Sequence, residues 1–404
     1  MVPIQDLLQR LEKAKGDTRT QSALTTEFVV MARPEAEREI LRSGLDAAAV
    51  LHWFDAEFLE KVLEIPQDEA RRQLDTLKEY SFVEHYRGEA DLRYNLHEST
   101  RLGWRINFAS ERTERFRALS LRASSGFAND PTPGGRIEWI YHLLCGDPAL
   151  AASELEKLDR AWSGSARPED RAALATALQE LVETKLVDGR ARARSLLAIA
   201  WSRTDWDSTA RSAEIAAEAL TLAQKAGDEA ASAEAWGLGG HVSEAQGRLE
   251  GAQAAFEQYL AIFRRLAELE PSNAGWQREM AVAHSRVGGV WLAQKQLTKG
   301  IEAYLEALTI SRRLAGQDPS NASWQHDLAL ACLQVGRIAA AANLNDIGLP
   351  LYEESLRIFA ALVQRAPGFV QWAEDMKIVE AELTALRAST ASSPDGAADG
   401  GQTP

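Results

Sequence analysis

The sequence Pro-Ser-Asn-Ala at residues 271–274 recurs 48 residues later at 319–322, and a third proline follows at Pro367. Other residues repeat at the same step: Trp276, Trp324 and Trp372, Gly288 and Gly336, Gly300 and Gly348, Tyr304 and Tyr352, and Leu308 and Leu356. A long fixed period indicates stacked supersecondary units, because one unit cannot bury its apolar face without a neighbour. The sequence therefore predicts a helical solenoid in the C-terminal half.

Each repeat is predicted to contain two packed helices. In the middle repeat the first helix covers about residues 276–294 and the second about 297–316, with apolar residues at helical spacing. Pro271 and the polar residues after it supply the start of the first helix, and Gly316 ends the second. Small residues let the two helices approach, and an aromatic side chain fills the space above them.

The residues of these helix pairs resemble those of tetratricopeptide repeats. Small and large residues stand where that family places them: Val287, Gly288, Trp291, Gly300, Tyr304 and Ala307 in one unit, and Trp236, Gly240, Gly247, Ala252 and Phe256 in the unit before. The second helix and the connecting loop are longer here than in the family. The predicted fold class is mainly α, a tetratricopeptide-like solenoid preceded by a small winged-helix domain.

The resemblance implies a groove lined by the first helix of each pair, in which such repeats hold an extended peptide or a partner's helix. On the family's register eight residues face this groove: Glu234, His241, Glu244, Ser285, Leu292, Leu330, Leu333 and Arg337. They are of mixed character, and each could instead be an ordinary surface or packing position. The lysine and asparagine clamp that chaperone-binding repeats use for a C-terminal carboxylate is not visible, which disfavours that ligand class.

Residues 45–100 are predicted to form the winged helix. Amphipathic helices are expected over residues 47–63 and 68–80. Two β-prone segments, 82–86 and 92–96, suit the hairpin called the wing. The second helix carries a net charge of −1, whereas a helix that enters a DNA groove needs exposed cations. A DNA-binding regulator is therefore an alternative, not the leading reading.

The remaining segments complete the predicted domain organisation. It comprises an N-terminal helical segment over residues 1–44, the winged helix over 45–100, a helical connector over 101–165, the solenoid over 166–386 and a disordered tail over 387–404. The tail is predicted because its residues are small, polar and without pattern.

The winged-helix region also resembles a particular group of proteins. Its segments 45–51, 53–55, 74–77, 81–84 and 93–98, and the following segment 136–144, are similar to bacterial signal-transduction ATPases with numerous domains, which include NB-ARC proteins. In that family a winged helix commonly lies between an ATPase module and a helical-repeat sensor.

The same resemblance concerns His97. In Leu96-His97-Glu98 it stands where the family's Met-His-Asp-like motif brings a histidine towards the β-phosphate of ADP. An imidazole can donate a hydrogen bond to a phosphate oxygen. The sequence contains no phosphate loop of the form Gly-x-x-x-x-Gly-Lys-[Ser/Thr]. His97 is therefore either a structural residue or a contact to nucleotide bound by a separate ATPase subunit.

Composition limits the partners and the compartment. The net charge of −14 argues against broad affinity for nucleic acid or anionic membranes. Two cysteines cannot make a disulfide framework, and the N-terminal residues lack the features of a signal peptide. No apolar run approaches the ~20 residues that cross a bilayer. A cytoplasmic protein is expected.

The most basic stretch spans residues 101–122. It could dock an acidic partner or a phosphate-bearing ligand, or form a solvated helix face that pairs with the acidic repeats. The second reading is preferred.

The sequence nominates no catalytic residue, metal site or cofactor. His142 and Cys145 are close enough on one helix to touch, but Cys145 lies among apolar residues and is expected to be a buried, inert thiol. The leading hypothesis is a non-enzymatic scaffold or regulatory sensor that binds a protein or peptide partner of unknown identity. The alternatives are the sensor subunit of a split signalling ATPase and a DNA-binding regulator.

Overall fold

The computed structural model describes residues 4–86, 92–163, 168–202 and 210–391 of the chain. These residues contain nineteen helices and two short strands, so the protein is mainly α. The chain divides into two compact units, Met1–Arg160 with Glu169–Ser202 and Ala161–Pro168 with Arg203–Pro404. None of the described helices combines the length and the apolar character that a membrane crossing needs.

The first unit contains eleven of the helices and both strands. Before the strands lie α1 (Ile4–Lys13), α2 (Thr18–Met31), α3 (Glu35–Val50), α4 (Ala56–Leu63) and α5 (Gln67–Lys78). The antiparallel strands β1 (Val83–His85) and β2 (Tyr94–Leu96) follow. After them come α6 (Glu98–Glu111), α7 (Thr113–Phe127), α8 (Pro133–Gly146), α9 (Pro148–Ser163), whose last residues belong to the other unit, α10 (Pro168–Glu183) and α11 (Gly189–Trp201).

The predicted single helix over residues 47–63 is wrong, because two helices with a break between them occupy this range. The Asp55 carboxylate starts α4 by accepting a 2.8 Å hydrogen bond from the Phe58 amide. Phe54 forms backbone hydrogen bonds of 2.7 and 2.8 Å with Tyr94 of β2. A helix through this point would lose both of these interactions, so the chain leaves the helical conformation.

The order of elements from α3 to β2 is compatible with the predicted winged helix. The wing loop at residues 87–91 lies outside the described residues, and the winged-helix assignment stays a prediction. The predicted domain boundaries likewise stay predictions. At the C-terminus α19 (Val370–Ala391) reaches into the range predicted as a disordered tail, and the rest of that tail lies outside the described residues.

The second unit is a stack of antiparallel helix pairs that resembles tetratricopeptide repeats. Before α19 it contains α12 (Ala210–Ala226), α13 (Glu229–Ala245), α14 (Leu249–Leu269), α15 (Ala274–Ala293), α16 (Leu297–Gln317), α17 (Ala322–Ala341) and α18 (Asn345–Arg365). Each helix from α12 to α18 packs against the next one in the chain. The predicted mainly α solenoid is confirmed.

The repeated sequence motif marks the start of α15 and of α17. Asn273 precedes α15, and its side-chain oxygen accepts hydrogen bonds from the Gly275 and Trp276 amides at 3.1 and 3.3 Å. Asn321 caps α17 in the same way through the Trp324 amide at 3.1 Å. The 48-residue step of the motif thus reproduces the same helix cap in these two repeats, and the cap satisfies amides that have no partner inside the helix.

Glycine allows the two helices of a pair to approach. A Cβ atom built on Gly300 would lie 2.6 Å from the Leu292 side chain, and one built on Gly288 would lie 2.9 Å from the Tyr304 ring. These distances are shorter than van der Waals contact, so larger residues would force α15 and α16 apart. The predicted role of small residues is therefore confirmed at this pair.

Candidate functional site

The candidate site is a cleft between two successive repeats of the second unit. Its walls are α15 and α17, its floor is α16, and its volume is about 350 Å³. We call the packing of α15, α16 and α17 the first junction, and that of α17, α18 and α19 the second junction. Its lining includes Arg278, Val282, Ser285 and Arg286 of α15, Tyr304 and Ser311 of α16, and Asp327, Leu330 and Gln334 of α17.

The cleft lies where the repeat lacks an aromatic side chain. Phe263 and Phe359 stand 48 residues before and after Ser311, and both are fully buried. The Phe263 ring lies 5.8 Å from that of Trp276, and the Phe359 ring lies 5.8 Å from that of His326. At the first junction the Ser311 hydroxymethyl group replaces the benzyl group. The space that phenylalanine fills elsewhere in the array is therefore open here.

One wall of the cleft carries a paired arginine. Arg278 of α15 donates two hydrogen bonds to Asp327 of α17, with Nε–Oδ2 at 2.5 Å and Nη2–Oδ1 at 3.2 Å. Burial by itself would raise the pKa of Asp327, but hydrogen bonds and charge from His326 and Arg278 hold that pKa below its ordinary value. This contact joins the first helices of two repeats across the cleft.

A second arginine in the cleft has no such partner. Arg286 is exposed and makes neither an ion pair nor a hydrogen bond with the described residues. Its charge still acts locally, because burial and, to a smaller extent, the Arg286 cation together lower the pKa of His241 to about 3. The Tyr304 hydroxyl also lies in the cleft without a hydrogen bond among the described residues, and burial raises its pKa. A cation and a phenol are thus available to an incoming group.

The second junction ties together the equivalent positions. Arg337 donates hydrogen bonds to Glu382 at 2.6 and 2.8 Å, and the Tyr352 hydroxyl donates one to the same carboxylate at 3.0 Å. Forty-eight residues earlier, Gly289 and Gln334 replace Arg337 and Glu382. A Cβ atom built on Gly289 would lie 3.3 Å from the Tyr304 hydroxyl oxygen. The first junction therefore lacks the clamp and keeps its tyrosine free.

The eight groove residues proposed from sequence lie in different surroundings. Ser285 and Leu330 line the cleft, whereas Leu333 is buried in a core cluster with Tyr352 and Phe359. Leu292 packs against the Tyr304 cluster. The other four lie elsewhere: Arg337 in the clamp, Glu234 half-buried on α13, His241 against the Phe256 ring at 5.2 Å, and Glu244 exposed, with a carboxylate oxygen 3.8 Å from His241. Their role in a partner groove stays a prediction.

His97 lies at the surface of the first unit. It precedes α6, its side chain is exposed, and its Nδ1 atom lies 3.0 Å from the Ser99 hydroxyl. The predicted nucleotide contact in trans stays a prediction.

The predicted solvated face of the basic stretch is wrong for its first two arginines. Arg101 is 7% exposed and Arg105 is fully buried. Both bind the Glu180 carboxylate of α10, with N–O distances of 2.5 Å for Arg101 and 3.1 Å for Arg105, and Tyr141 hydrogen-bonds to both Arg105 and Glu180. Burial alone would lower the pKa of Arg105, but Tyr141, Cys145 and Glu180 raise it. These cations stabilise the fold and cannot meet a ligand.

Cys145 belongs to the same buried network. Its sulfur accepts a 3.3 Å hydrogen bond from Arg105, and burial raises the pKa of its thiol. A thiol held in the neutral form is a poor nucleophile. The expectation of a buried, inert cysteine agrees with this geometry.

Sequence reasoning missed Arg286, Tyr304 and Ser311 as members of one site. A signal for Ser311 was present, because Phe263 and Phe359 stand at the 48-residue step on either side of it. Comparison of the positions that differ between repeats, and not only those that match, would have found it. Arg286 gave no such signal, because a lone arginine on a helix reads as surface.

Comparisons with known proteins support the repeat assignment. A model described as a tetratricopeptide repeat matches residues 279–361, which include most of α15 to α18. A search of curated protein sequences gave no significant match.

Three solved structures are similar to the chain. BtubC (BKLC) from P. vanneervenii is 18% identical, with 62% of this chain and 97% of that chain covered and a TM-score of 0.35. A Rap protein complexed with competence and sporulation factor is 14% identical, with 95% and 99% covered and a TM-score of 0.36. A signal transduction ATPase with numerous domains and a tetratricopeptide repeat sensor, from Pyrococcus horikoshii, is 12% identical, with 98% and 64% covered and a TM-score of 0.34. At these identities and TM-scores the likenesses carry no argument about function.

Proposed function

We propose that this protein is a non-enzymatic binding and regulatory protein whose cleft at the first junction receives a segment of a protein or peptide partner. The observation that carries the proposal is the absent aromatic side chain at Ser311, which leaves an opening of about 350 Å³. The apolar residues that line this opening face water, and a partner side chain that covers them removes apolar surface from water.

The cleft favours a segment with one apolar and one acidic side chain. The apolar side chain rests on Val282 and Leu330 and occupies the space above Ser311. The acidic one pairs with Arg286, which gains a partner, and the Tyr304 hydroxyl donates a hydrogen bond to the same carboxylate. An arginine–carboxylate pair shielded from water is a frequent centre of binding energy in protein interfaces.

We propose that the first unit binds a second partner molecule and so docks this protein onto it. In this proposal residues 45–100 form a winged helix that acts as a docking domain. DNA is a poorer target, since two cations of α5 are already paired: Arg72 with Asp68 and Lys78 with Asp75, at 2.8 and 3.2 Å.

A split signalling ATPase is the second candidate function. The exposure of His97 favours it, because its imidazole can reach a nucleotide held by another subunit. Addition of a candidate ATPase subunit with ADP tests this idea. A shift of the His97 ring resonances in NMR that requires both the subunit and the nucleotide supports this function. Unchanged resonances argue against it.

The leading proposal is tested by site-specific photo-crosslinking. A photoreactive amino acid replaces Ser285 in the cleft, and a matched control replaces Thr309, an exposed residue of α16 outside the cleft. We expect a discrete adduct from cell extract at position 285 and not at 309. The adduct must disappear when Ser311→Phe fills the cleft and weaken when Arg286→Glu reverses its charge.

Two results count against the proposal. An adduct that persists unchanged with Ser311→Phe shows that the partner does not enter the cleft. Equal adducts at both positions show unspecific contact.

A further inference from the structure

Three side chains of the first unit bring their metal-binding atoms to one point. His52 lies between α3 and α4, and Glu138 and His142 lie one turn apart on α8. The His52 Nδ1 atom is 2.8 Å from Glu138 Oε2, and the His142 Nε2 atom is 3.3 Å from the same oxygen. One nitrogen or oxygen atom from each residue lies within 4.8 Å of the other two.

His142 is the member that the fold does not explain. Its side chain is fully buried, yet neither ring nitrogen makes a hydrogen bond with the described residues. A buried polar group without a partner costs about 1–3 kcal/mol. Its Nε2 atom lies 3.3 Å from the Glu138 carboxylate without forming a hydrogen bond to it. Such a group needs another ligand for that nitrogen.

The surroundings hold the three residues in place. The His142 ring stacks on Phe127 with centroids 5.9 Å apart and parallel to within 13°, and the His52 ring packs on Tyr141 at 4.4 Å. Glu138 and His52 remain 20% and 22% exposed. One side of the cluster is therefore enclosed by aromatic rings, while the other is open to solvent.

We propose that His52, Glu138 and His142 bind a divalent transition-metal ion, and that Zn²⁺ is the best fit. Two imidazole nitrogens and one carboxylate oxygen are ligands that zinc accepts. Tetrahedral zinc with these ligands needs them about 3.3 Å apart. The two imidazole nitrogens lie 2.8 and 3.3 Å from the Glu138 oxygen, and the three ligand atoms lie within 4.8 Å of one another. Side-chain rotations that replace the His52–Glu138 hydrogen bond would bring all three onto one ion. Water on the exposed side supplies the fourth ligand.

The ion links segments that are distant in sequence. Glu138 and His142 fix it to α8, and His52 ties it to the break between α3 and α4, next to Phe54 and its pairing with β2. Binding of the ion therefore stabilises the first unit around the predicted winged helix, because only the folded chain brings the three ligands together. The proposed partner cleft plays no part in this site.

Titration of the purified, metal-free full chain with Zn²⁺ tests the proposal. We expect one ion bound per chain and a rise in the thermal midpoint of the first unit. Mg²⁺ at the same concentration should produce neither effect, since it prefers oxygen ligands. Co²⁺ should show the intense visible absorption of a tetrahedral site with nitrogen and oxygen ligands.

Variants separate this site from unspecific binding by surface histidines. Glu138→Gln keeps the size of the side chain, and His52→Ala changes a partly exposed loop residue, so both should fold, as judged by circular dichroism. Each should weaken zinc binding by about 100-fold or more and abolish the thermal shift. His97→Ala, at an exposed histidine away from the cluster, should change neither. No zinc binding by the native chain, or binding that Glu138→Gln leaves intact, overturns the proposal.

Discussion

The first and second junctions of the repeat unit are built on the same positions with different residues. At the second junction Phe359 fills the core, and the Arg337–Glu382–Tyr352 clamp ties α17, α18 and α19 together. At the first junction Ser311, Gly289 and Gln334 occupy those positions, and a cleft results. Three differences, one in each helix of the junction, thus distinguish an interface with a cleft from one without, while the order of the helices is the same.

The largest expected effect comes from opening the second junction with Phe359→Ser. This change copies the first junction into the second and leaves a cavity where a buried ring was. We expect a loss of about 3–5 kcal/mol in the local free energy of unfolding. Hydrogen exchange of the α18 and α19 amides measures it, because it reports each helix separately. Loss of less than about 1 kcal/mol would show that this ring does not hold the second junction together.

Closing the first junction with Ser311→Phe is the reverse experiment. The added ring buries apolar surface against α15 and α17, so we expect a gain of about 1–2 kcal/mol in the stability of the α15–α17 amides. Binding of the partner at position 285 should be lost in the same protein. Destabilisation instead of a gain would mean that the cleft is too narrow for a ring, and that the absent phenylalanine is not what opens it.

Arg278→Met tests the contact across the first junction. It removes the hydrogen bonds to Asp327, which is partly exposed, so we expect a loss of about 1–2 kcal/mol near neutral pH. In the native chain the lowered pKa of Asp327 makes its contribution fully present above the ordinary value of about 3.9 and lost as the pH falls through the lowered value. Without Arg278, less opposes the rise that burial causes in the pKa of Asp327. The pKa of Asp327 should therefore be higher in the variant, and the stability that this carboxylate contributes should be lost at a higher pH.

Thermal midpoints of the second unit from neutral to acidic pH provide the measurement. Arg313→Met is the matched control, because this exposed arginine bonds only the neutral Gln277 among the described residues, at 2.9 Å. Identical pH profiles for the two variants would contradict the assignment of the acid-sensitive contribution to Asp327.

The smallest expected effect compares Gly288→Ala with Gly336→Ala, the same position in the two repeats. By helix propensity alone, replacing glycine with alanine stabilises either helix by about 1 kcal/mol. A Cβ atom at 288 would lie 2.9 Å from the Tyr304 ring, but one at 336 would lie 3.2 Å from the Tyr352 ring. We therefore expect Gly288→Ala to destabilise by about 1 kcal/mol and Gly336→Ala to be close to neutral, as measured by urea unfolding. The opposite ranking would contradict the closer packing of α15 against α16 at this position.

The helices of the repeat unit follow from local patterns, whereas the sites depend on long-range packing. The sequence predicts the repeats, the asparagine caps and the glycine contacts because the residues concerned recur at a fixed step of 48 positions. The helix expected over residues 47–63 failed because its apolar residues continue through the break, and the pairing of Phe54 with Tyr94 leaves no local trace. His52 and Glu138, two of the proposed zinc ligands, lie 86 residues apart, so no spacing rule could join them.

Burial of charged side chains could not be predicted from the sequence. The sequence predicts a solvated face at Arg101 and Arg105 because arginine is seldom fully buried. Their partner Glu180 lies 79 and 75 residues away in sequence, and only tertiary packing brings its carboxylate to them.

The position of Ser311 between two buried phenylalanines has a consequence for how the array responds to an occupant. In a linear stack each unit couples only to its neighbours, so a weak interface in the middle splits the stack into two cooperative blocks. Phe263 and Phe359 are fully buried on either side of it. A molecule that fills the gap restores the missing coupling and fuses the blocks into one. Filling the space above Ser311 would then change the thermal unfolding of the repeat unit from two transitions to one.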